Sequence, residues 1–474
     1  MVFSSITFLF AFLPFVLALY YVVPNNFKNV VLCLSSLFFY AWGETVYVFI
    51  MIASAVVDYL AGLIIEKGHK KVGLVLSMVF NLFVLSMFKY LSFFAENIYQ
   101  VLQIFHLRLF EMSDVPKLSL PLGISFYTFQ TMSYTIDVYR GEVKANKNFI
   151  QFATYVTMFP QLVAGPIVRY IDVQKQIIQK NISLDNFSEG IRRFIIGFAK
   201  KLILANGFAF IADKILACEA SKLSTFYVWV AVLSYAFQIY YDFSGYSDMA
   251  IGLGKMFGFD FLENFNLPYI SKSIREFWRR WHISLSSWFR DYVYIPLGGS
   301  KVSVSKMYRN LLIVFFVTGL WHGASWNFIV WGLFHGLFIV IERVGFAKKL
   351  DSLPLYIQHV YTLLIVLIGW VFFRATDLTH ALDLLSTMFI YDAGDSIINN
   401  YLNLFIMNWE TVFVFVFGII FSLPLTNFQN QIFKFFHTET SVRIIQLSSL
   451  MVLFLISITY LFSASYNPFI YFRF

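Results

Sequence analysis

The sequence predicts an all-α, polytopic integral membrane protein. Only 13% of its 474 residues are charged and 59% are hydrophobic, whereas soluble domains average about 25% charged residues. Several apolar runs are long enough to cross a bilayer as helices, which satisfy their backbone hydrogen bonds internally. Basic residues concentrate in the short connections between these runs, as the positive-inside rule expects of cytoplasmic loops.

Composition also limits the other classes of protein. The formal net charge of +8 is better explained by cytoplasmic loops than by nucleic-acid binding. Cys33 and Cys218 lie far apart and in no metal-ligand spacing, so we expect no disulfide framework and no metal site. We also expect no bound cofactor. We expect one membrane domain over residues 1–474. It should hold about eleven transmembrane or re-entrant segments and some short interfacial helices.

The N-terminal part, residues 1–110, is predicted to form the first transmembrane helices. The first run has no basic residue before Lys28, so we interpret it as a retained helix and not as a cleaved signal. The basic loop at residues 66–71 is assigned to the cytoplasm. The apolar runs of this part are 6–23, 30–40, 47–65 and 72–94.

The central part, residues 118–345, combines apolar sequence with polar and helix-breaking residues. Residues 118–141 carry Ser, Thr, Gln and Tyr among apolar neighbours, which favours a helix facing protein or a wet cavity. Residues 152–170 contain Pro160 and Pro166. They predict a re-entrant or broken helix, because irregular backbone at membrane depth must line protein or water.

Two further segments of this part are polar. Asp242 and Asp248 follow an aromatic run, where they either line a polar cavity or make hydrogen bonds between helices. Residues 271–309 form the most basic region of the chain and are assigned to the cytoplasmic side. Within it, residues 276–299 are predicted to form an amphipathic interfacial helix that ends in a turn at 296–299.

The most informative stretch is residues 311–341, which contain no acid, lysine or arginine. As one helix they would extend about 46 Å, against a hydrocarbon core of about 30 Å. Either the helix is long and tilted, or it breaks near residues 319–323 and turns back. Basic residues on both flanks favour the break. Both alternatives place His322 below the bilayer surface.

The C-terminal part is predicted to contain further helices over residues 355–465. Its apolar runs are 355–373, 411–423 and 444–462, with a short interfacial helix at 381–390. An aromatic tail follows at residues 466–474.

Histidines and arginines are the candidates for chemistry. An ionisable side chain inside a membrane segment is by default a functional-site hypothesis, so His322 is either a catalytic residue or a hydrogen-bonded packing residue. A neutral imidazole in a confined site suits general-base catalysis. A second histidine, His282 or His335, could orient a substrate, polarise a carbonyl or share the proton. Arg279, Arg280 and Arg290 could hold the phosphates of a coenzyme A thioester, although topology alone also explains them.

Five motifs resemble the membrane-bound O-acyltransferase family, and most closely its alginate O-acetyltransferase branch. The resemblance covers essentially the whole chain, and the motifs together are specific, whereas Trp-His-Gly alone would be weak. The motifs are PLGISFY at 121–127, FPQLVAGPI at 159–167, EFWRRWHISLS at 276–286, DYVYIPLGG at 291–299 and GLWHGA at 319–324.

The resemblance implies a helical bundle with a central funnel or tunnel. It implies that His322 is catalytic and that His282 is a second important residue of the site. The residues expected to line the donor site or the tunnel are Trp278, Arg279, Arg280, Asp291, Trp321 and Asn310.

The resemblance also implies an activity. Such an enzyme of the bacterial cytoplasmic membrane passes an acetyl group from acetyl-CoA toward a cell-envelope or secreted polysaccharide, usually through a partner SGNH-type acetyltransferase. One alternative is D-alanyl transfer from a carrier-protein thioester. Another alternative is a transporter or scaffold without acyl transfer. The acceptor polysaccharide and the accessory protein stay open.

The C-terminal tail suggests one further step. It resembles the tyrosine-containing tail of the small partner protein of D-alanylation systems, so Tyr471 could be an acyl relay that His322 deprotonates. The alternative is an interface anchor of Tyr, Phe and Arg at headgroup level.

Overall fold

The computed structural model describes residues 1–425 and 438–463, and this part of the chain is helical without β-strands. The all-α prediction is therefore confirmed. The α-helices of the first half are Leu13–Val22, Lys28–Ala41, Val48–Glu66, Lys70–Leu85, Leu91–Ile104, Ile124–Arg140, Phe149–Thr157, Phe159–Leu162, Tyr170–Ile178, Leu184–Ala199, Asn206–Leu216 and Thr225–Met256. Those of the second half are Ile274–Arg280, Ile283–Phe289, Val304–His322, Trp326–Ile341, Ala347–Asp351, Leu355–Arg374, Leu378–Phe389, Ser396–Ile406, Trp409–Phe421 and Glu439–Ser463.

Six of the described helical segments are long and apolar enough to cross a membrane. The pair Ser396–Ile406 and Trp409–Phe421 bends by 72° at its break and is either a seventh, broken span or a re-entrant loop. The protein is thus a multi-pass membrane protein, while the total of about eleven segments stays a prediction. The six segments are Val48–Glu66, Lys70–Ile104, Leu184–Leu216, Trp326–Asp351, Leu355–Arg374 and Thr440–Ser463.

The contacts of the chain divide into two compact units. The first contains residues 1–188, 253–262 and 323–325, and the second contains residues 189–252, 263–322 and the described residues from Trp326 onward. The single membrane domain expected from the sequence, with its catalytic core at residues 118–345, stays a prediction.

The first unit is organised around a buried carboxylate. Asp58 accepts hydrogen bonds from Asn81 Nδ2 at 2.7 Å, from Thr135 Oγ1 at 2.8 Å and from Ser77. The helix Ile124–Arg140 supplies Thr135, and most of its residues are buried. This confirms that the polar segment at 118–141 faces protein, because its hydroxyls are needed to satisfy a buried acid.

The predicted break around Pro160 is also confirmed. One helix ends at Thr157, a four-residue helix covers Phe159–Leu162, and no helix follows until Tyr170. Pro160 lies in the first turn of the short helix. Proline is tolerated there because the N–H groups of a first turn make no hydrogen bond within the helix.

In the second unit the long apolar stretch breaks and turns back. Helix Val304–His322 ends at His322, and helix Trp326–Ile341 begins after three intervening residues. Two glycines allow the helices to touch: a Cβ on Gly319 would abut the Phe328 carbonyl oxygen, and one on Gly332 would abut that of Phe315. The break expected from the basic flanks is therefore confirmed, and it leaves His322 at the end of a helix.

The prediction of a single interfacial helix at residues 276–299 is wrong. The structure has two short helices, Ile274–Arg280 and Ile283–Phe289, followed by a π-helical turn and the predicted turn near Pro296. The interruption is at His282, which adopts the left-handed conformation with φ 45° and ψ 55°. Such a conformation costs a non-glycine residue about 1–2 kcal/mol, so the surroundings must hold it.

We predict that Gly332→Ala destabilises the helix pair. The added Cβ would lie 3.0 Å from Gly319 Cα and closer still to a backbone oxygen, and backbone atoms cannot move aside as a side chain can. Overpacking of this kind costs about 1–3 kcal/mol. Thermal unfolding of the detergent-solubilised protein measures the effect.

The matched control is Gly43→Ala, whose Cβ would meet only the Met1 nitrogen at 3.4 Å. Equal melting temperatures for the two variants would contradict the close approach of the helices.

Candidate active site

His322 lies in an aromatic enclosure. Its ring centroid is 4.9 Å from that of Trp321, 4.9 Å from that of Trp331 and 5.2 Å from that of Phe373, each ring roughly perpendicular to the imidazole. The side chain is only 4% exposed. These rings exclude bulk water around the imidazole and leave little space beside it, which is a suitable setting for proton transfer to or from one small group.

His282 lies near the same enclosure and is fully buried. Its ring packs on Phe243 at 4.6 Å and on Trp321 at 6.1 Å, so the Trp321 ring contacts both histidines. Its Nδ1 atom is 3.1 Å from Asn264 Oδ1. Burial lowers the pKa of His282 to about 3, so its imidazole is neutral at physiological pH.

His335 is the third buried histidine of the region. It is 0% exposed, and its ring contacts Trp278 at 5.4 Å and Trp331 at 5.3 Å. Among the described residues neither ring nitrogen has a hydrogen-bond partner. Gly369 makes room for the ring, because a Cβ there would lie 2.5 Å from His335 Nε2. Trp331 therefore touches His322 on one side and His335 on the other.

An arginine-rimmed cavity of about 330 Å³ lies in the second unit. Four arginines line it, all of them exposed: Arg275, Arg279, Arg290 and Arg343. Its interior is apolar and includes Trp278 and Phe315. A cationic rim over an apolar interior suits a ligand with an anionic head and a narrow uncharged arm.

A second cavity of about 370 Å³ is polar and balanced in charge. Asp248 lines it and accepts from Arg193 and Lys200, each at 2.7 Å. Asp242 instead pairs with Lys201 at 2.7 Å, where both side chains are buried. The two acids were expected either to line a polar cavity or to make hydrogen bonds between helices. Asp248 does both, since it lines the cavity and bonds to another helix. Asp242 makes a buried interhelical ion pair.

Local hydrogen bonds also hold Arg290 of the cavity rim and two further residues expected at the donor site or the tunnel. Arg280 Nε donates to Glu276 at 2.9 Å, Arg290 Nε donates to Asp291 at 2.7 Å, and Asn310 Nδ2 donates to the Leu297 carbonyl at 2.9 Å. These bonds brace the two short helices and the turn after them.

The sequence did not single out four residues that the structure brings to these sites. They are Arg275, Arg343, Asn264 and Trp331. From the sequence, Arg275 is only one charge of the basic region 271–309, and Arg343 is only one of the basic residues that flank residues 311–341. Arg343 lies 64 positions after Arg279, and Asn264 lies 18 positions before His282, so no local pattern links them. Tyr471 and the aromatic tail lie outside the described residues.

Comparisons with known proteins identify the family. The family model of the membrane-bound O-acyltransferases matches residues 70–373. A probable alginate O-acetylase of Azotobacter vinelandii is 45% identical over 82% of this chain and 78% of its own, and one of Pseudomonas putida is 39% identical with both chains covered in full. A peptidoglycan O-acetyltransferase of Helicobacter pylori is 37% identical over 82% of this chain and 80% of its own. The chain therefore belongs to the membrane-bound O-acyltransferase family and is an O-acyltransferase.

Proposed function

We propose that this enzyme takes an acetyl group from acetyl-CoA at the cytoplasmic face of a bacterial cytoplasmic membrane and passes it across for O-acetylation of a cell-envelope or secreted polysaccharide. The relatives named as alginate and peptidoglycan O-acetyltransferases support that acceptor class. An SGNH-type partner completes the transfer to the polysaccharide. The observation that carries the proposal is the arginine-rimmed cavity, one wall of which is formed by the helix that ends at His322.

The rim of this cavity suits a coenzyme A donor. Coenzyme A brings a diphosphate and a 3′-phosphate, and guanidinium groups bind phosphate oxygens in paired, charge-assisted hydrogen bonds. Topology explains any one basic residue, but it does not explain why four arginines from three helical segments line one cavity. A carrier-protein thioester would present a single phosphodiester to the same four cations, which makes the D-alanyl alternative the weaker one.

The lining of the cavity supports a path from the donor to His322. Thr318 and Phe315 line it, and both belong to the helix that ends at His322. Thr318 precedes His322 by four residues and so lies on the same helix face. On the other side the Trp278 ring is 5.7 Å from the Trp331 ring, which in turn contacts His322. A pantetheine arm along this wall would bring its thioester to the aromatic enclosure.

The chemistry assigned to His322 is general-base catalysis. Its imidazole takes the proton of the attacking hydroxyl as the oxygen forms a bond to the thioester carbonyl carbon. The tetrahedral intermediate collapses with cleavage of the carbon–sulfur bond, and the imidazolium returns the proton to the leaving thiolate. The products are an acetyl ester and the free thiol, so the reaction balances without a redox partner.

The first prediction of this mechanism is that His322→Ala abolishes acetyl transfer. Loss of a positioned general base costs about 10²–10⁴-fold in rate. Release of free thiol from acetyl-CoA and incorporation of labelled acetyl into the acceptor are measured on detergent-purified protein. Size-exclusion chromatography must show that the variant is still folded, and transfer at the wild-type rate would exclude His322 as the base.

The donor cavity predicts a change in KM. Arg279→Glu and Arg290→Glu should each raise KM for acetyl-CoA about 10- to 100-fold with a small effect on kcat, because a charge-assisted hydrogen bond contributes about 1.5–3 kcal/mol. Adenosine 3′,5′-bisphosphate should compete with acetyl-CoA in the wild type and not in the variants.

The control for charge alone is Arg108→Glu, an exposed arginine of the loop at residues 105–117. A KM that is unchanged at positions 279 and 290, or that rises equally at position 108, would contradict the proposed donor site.

We also propose that Tyr471 carries the acetyl group between the donor and the partner. Its phenolic oxygen is the attacking hydroxyl, His322 removes its proton, and the acetyl-tyrosine ester is then handed on. The supporting feature is the aromatic C-terminal sequence, residues 469–474.

This relay predicts a hydroxylamine-labile acetyl group on Tyr471, detected by mass spectrometry of the C-terminal peptide after incubation with acetyl-CoA. Tyr471→Phe should lose transfer to the polysaccharide, and Tyr466→Phe in the same tail should keep it. Full transfer by the Tyr471→Phe variant would contradict the proposal that Tyr471 carries the acetyl group, and would leave the interface anchor as the interpretation of the tail.

A further inference from the structure

We propose that Asn264 is a positioning residue that fixes the tautomer of His282, so that Nδ1 carries the hydrogen and Nε2 presents a lone pair to the substrate. The inference rests on the proposed function, in which His282 takes part in the same site as His322. Asn264 belongs to none of the five motifs, and its hydrogen bond to His282 determines which imidazole nitrogen is the donor.

The hydrogen bonds of Asn264 decide which way its amide points. The side chain is fully buried. Its Nδ2 donates to Ser247 Oγ at 3.0 Å, and its Oδ1 accepts from the Ser284 backbone N–H at 3.2 Å and from Ser284 Oγ at 2.9 Å. A backbone N–H can only donate, so the oxygen and not the nitrogen must face Ser284.

This orientation determines the proton on His282. Nδ1 is 3.1 Å from the same Oδ1, and an amide oxygen only accepts, so Nδ1 must be the donor. Burial lowers the pKa of His282, so the ring is neutral and carries one hydrogen. That hydrogen is on Nδ1, which leaves the Nε2 lone pair open. Among the described residues Nε2 has no hydrogen-bond partner.

The backbone of Asn264 holds the ring in place as well. Its carbonyl oxygen accepts from the Ile283 N–H at 3.0 Å, and the Asn266 N–H donates to the Arg280 carbonyl at 2.9 Å. Segment 264–266 therefore runs beside the break between the two short helices and stabilises the left-handed conformation of His282. Backbone position and side-chain tautomer are thus set by the same residue.

The tautomer narrows the role of His282. An Nε2 lone pair accepts a hydrogen bond, so the neutral ring cannot polarise a carbonyl through that atom. Nε2 can instead orient a hydroxyl by accepting its hydrogen bond. The geometry therefore assigns His282 to the attacking hydroxyl and not to the thioester carbonyl.

Asn264→Leu and Asn264→Asp separate this role from a purely structural one. In Asn264→Leu the Nδ1–H loses its acceptor, and kcat should fall about 100-fold, as it does when an enzyme histidine is held in the wrong tautomer. In Asn264→Asp a carboxylate accepts the same hydrogen, and kcat should recover at least about 10-fold relative to the leucine variant. Ser247→Ala removes only the partner of Nδ2 and should stay within about twofold of the wild type.

The decisive readout is nitrogen NMR of protein with ¹⁵N-labelled histidine, where the His282 signals are assigned by their loss in His282→Gln. Wild type, Ser247→Ala and Asn264→Asp should show a protonated Nδ1 and an unprotonated Nε2, and Asn264→Leu should lose this pattern. If Asn264→Leu does not fold, the aspartate variant decides: its Nδ1–H resonance should move downfield, because a carboxylate is the stronger acceptor.

Three results would overturn the inference. They are a wild-type kcat in folded Asn264→Leu, a reduced kcat in that variant with the Nδ1–H tautomer retained, and an Nδ1–H resonance that does not move in Asn264→Asp. Full activity of His282→Gln would instead remove His282 from the proposed mechanism, while the NMR pattern would still show whether Asn264 sets its tautomer.

Discussion

The close approach of helices Val304–His322 and Trp326–Ile341 is the constraint from which the site follows. Gly319 and Gly332 let one backbone rest against the carbonyl oxygens of the other, so a stretch too long for one span becomes a helix pair. Because the first helix stops at His322, the imidazole is held at a chain reversal. Apolar packing alone would allow many registers, whereas contact at two glycines allows very few.

Burial then defines the chemistry of each histidine. Around His322 the neighbours are aromatic rings, so the imidazole is confined and poorly hydrated. His282 differs in that an amide oxygen specifies which nitrogen is protonated. Trp321 contacts both rings, and Trp331 contacts both His322 and His335. Each of these tryptophans therefore packs against two histidines, so a substitution of one tryptophan alters the packing around both of its histidines.

Features with a strong local signal were predictable from the sequence. Pro160 breaks a helix because it lacks an N–H, and the basic flanks of residues 311–341 favour a reversal over one long tilted helix. Both breaks are present. The break at His282 was missed, because the pattern of residues 276–299 suits one amphipathic helix and a left-handed histidine has no sequence signature. Hydrogen bonds to segment 264–266 hold it, and such long-range contacts cannot be read from spacing.

The same limit applies to the arginine-rimmed cavity. From the sequence, Arg279 and Arg290 are possible phosphate ligands, but topology is the better explanation of each one taken alone. Only the fold shows that they share a cavity with Arg275 and Arg343, and that the wall of this cavity belongs to the helix of His322. Arg280, the neighbour of Arg279, instead pairs with Glu276. Adjacent arginines therefore have different surroundings: Arg279 lines the cavity, and Arg280 does not.

The central claim is that the arginine-rimmed cavity and His322 are the two ends of one donor site. The most direct measurement is a cryo-electron-microscopy structure of the protein with a non-hydrolysable analogue of acetyl-CoA, in which a methylene group separates the sulfur from the carbonyl. The account predicts phosphate density beside Arg279 and Arg290. It also predicts that the carbonyl of the analogue lies inside the aromatic enclosure, next to the imidazole of His322. Phosphates bound elsewhere, or a carbonyl remote from the His322 enclosure, would contradict it.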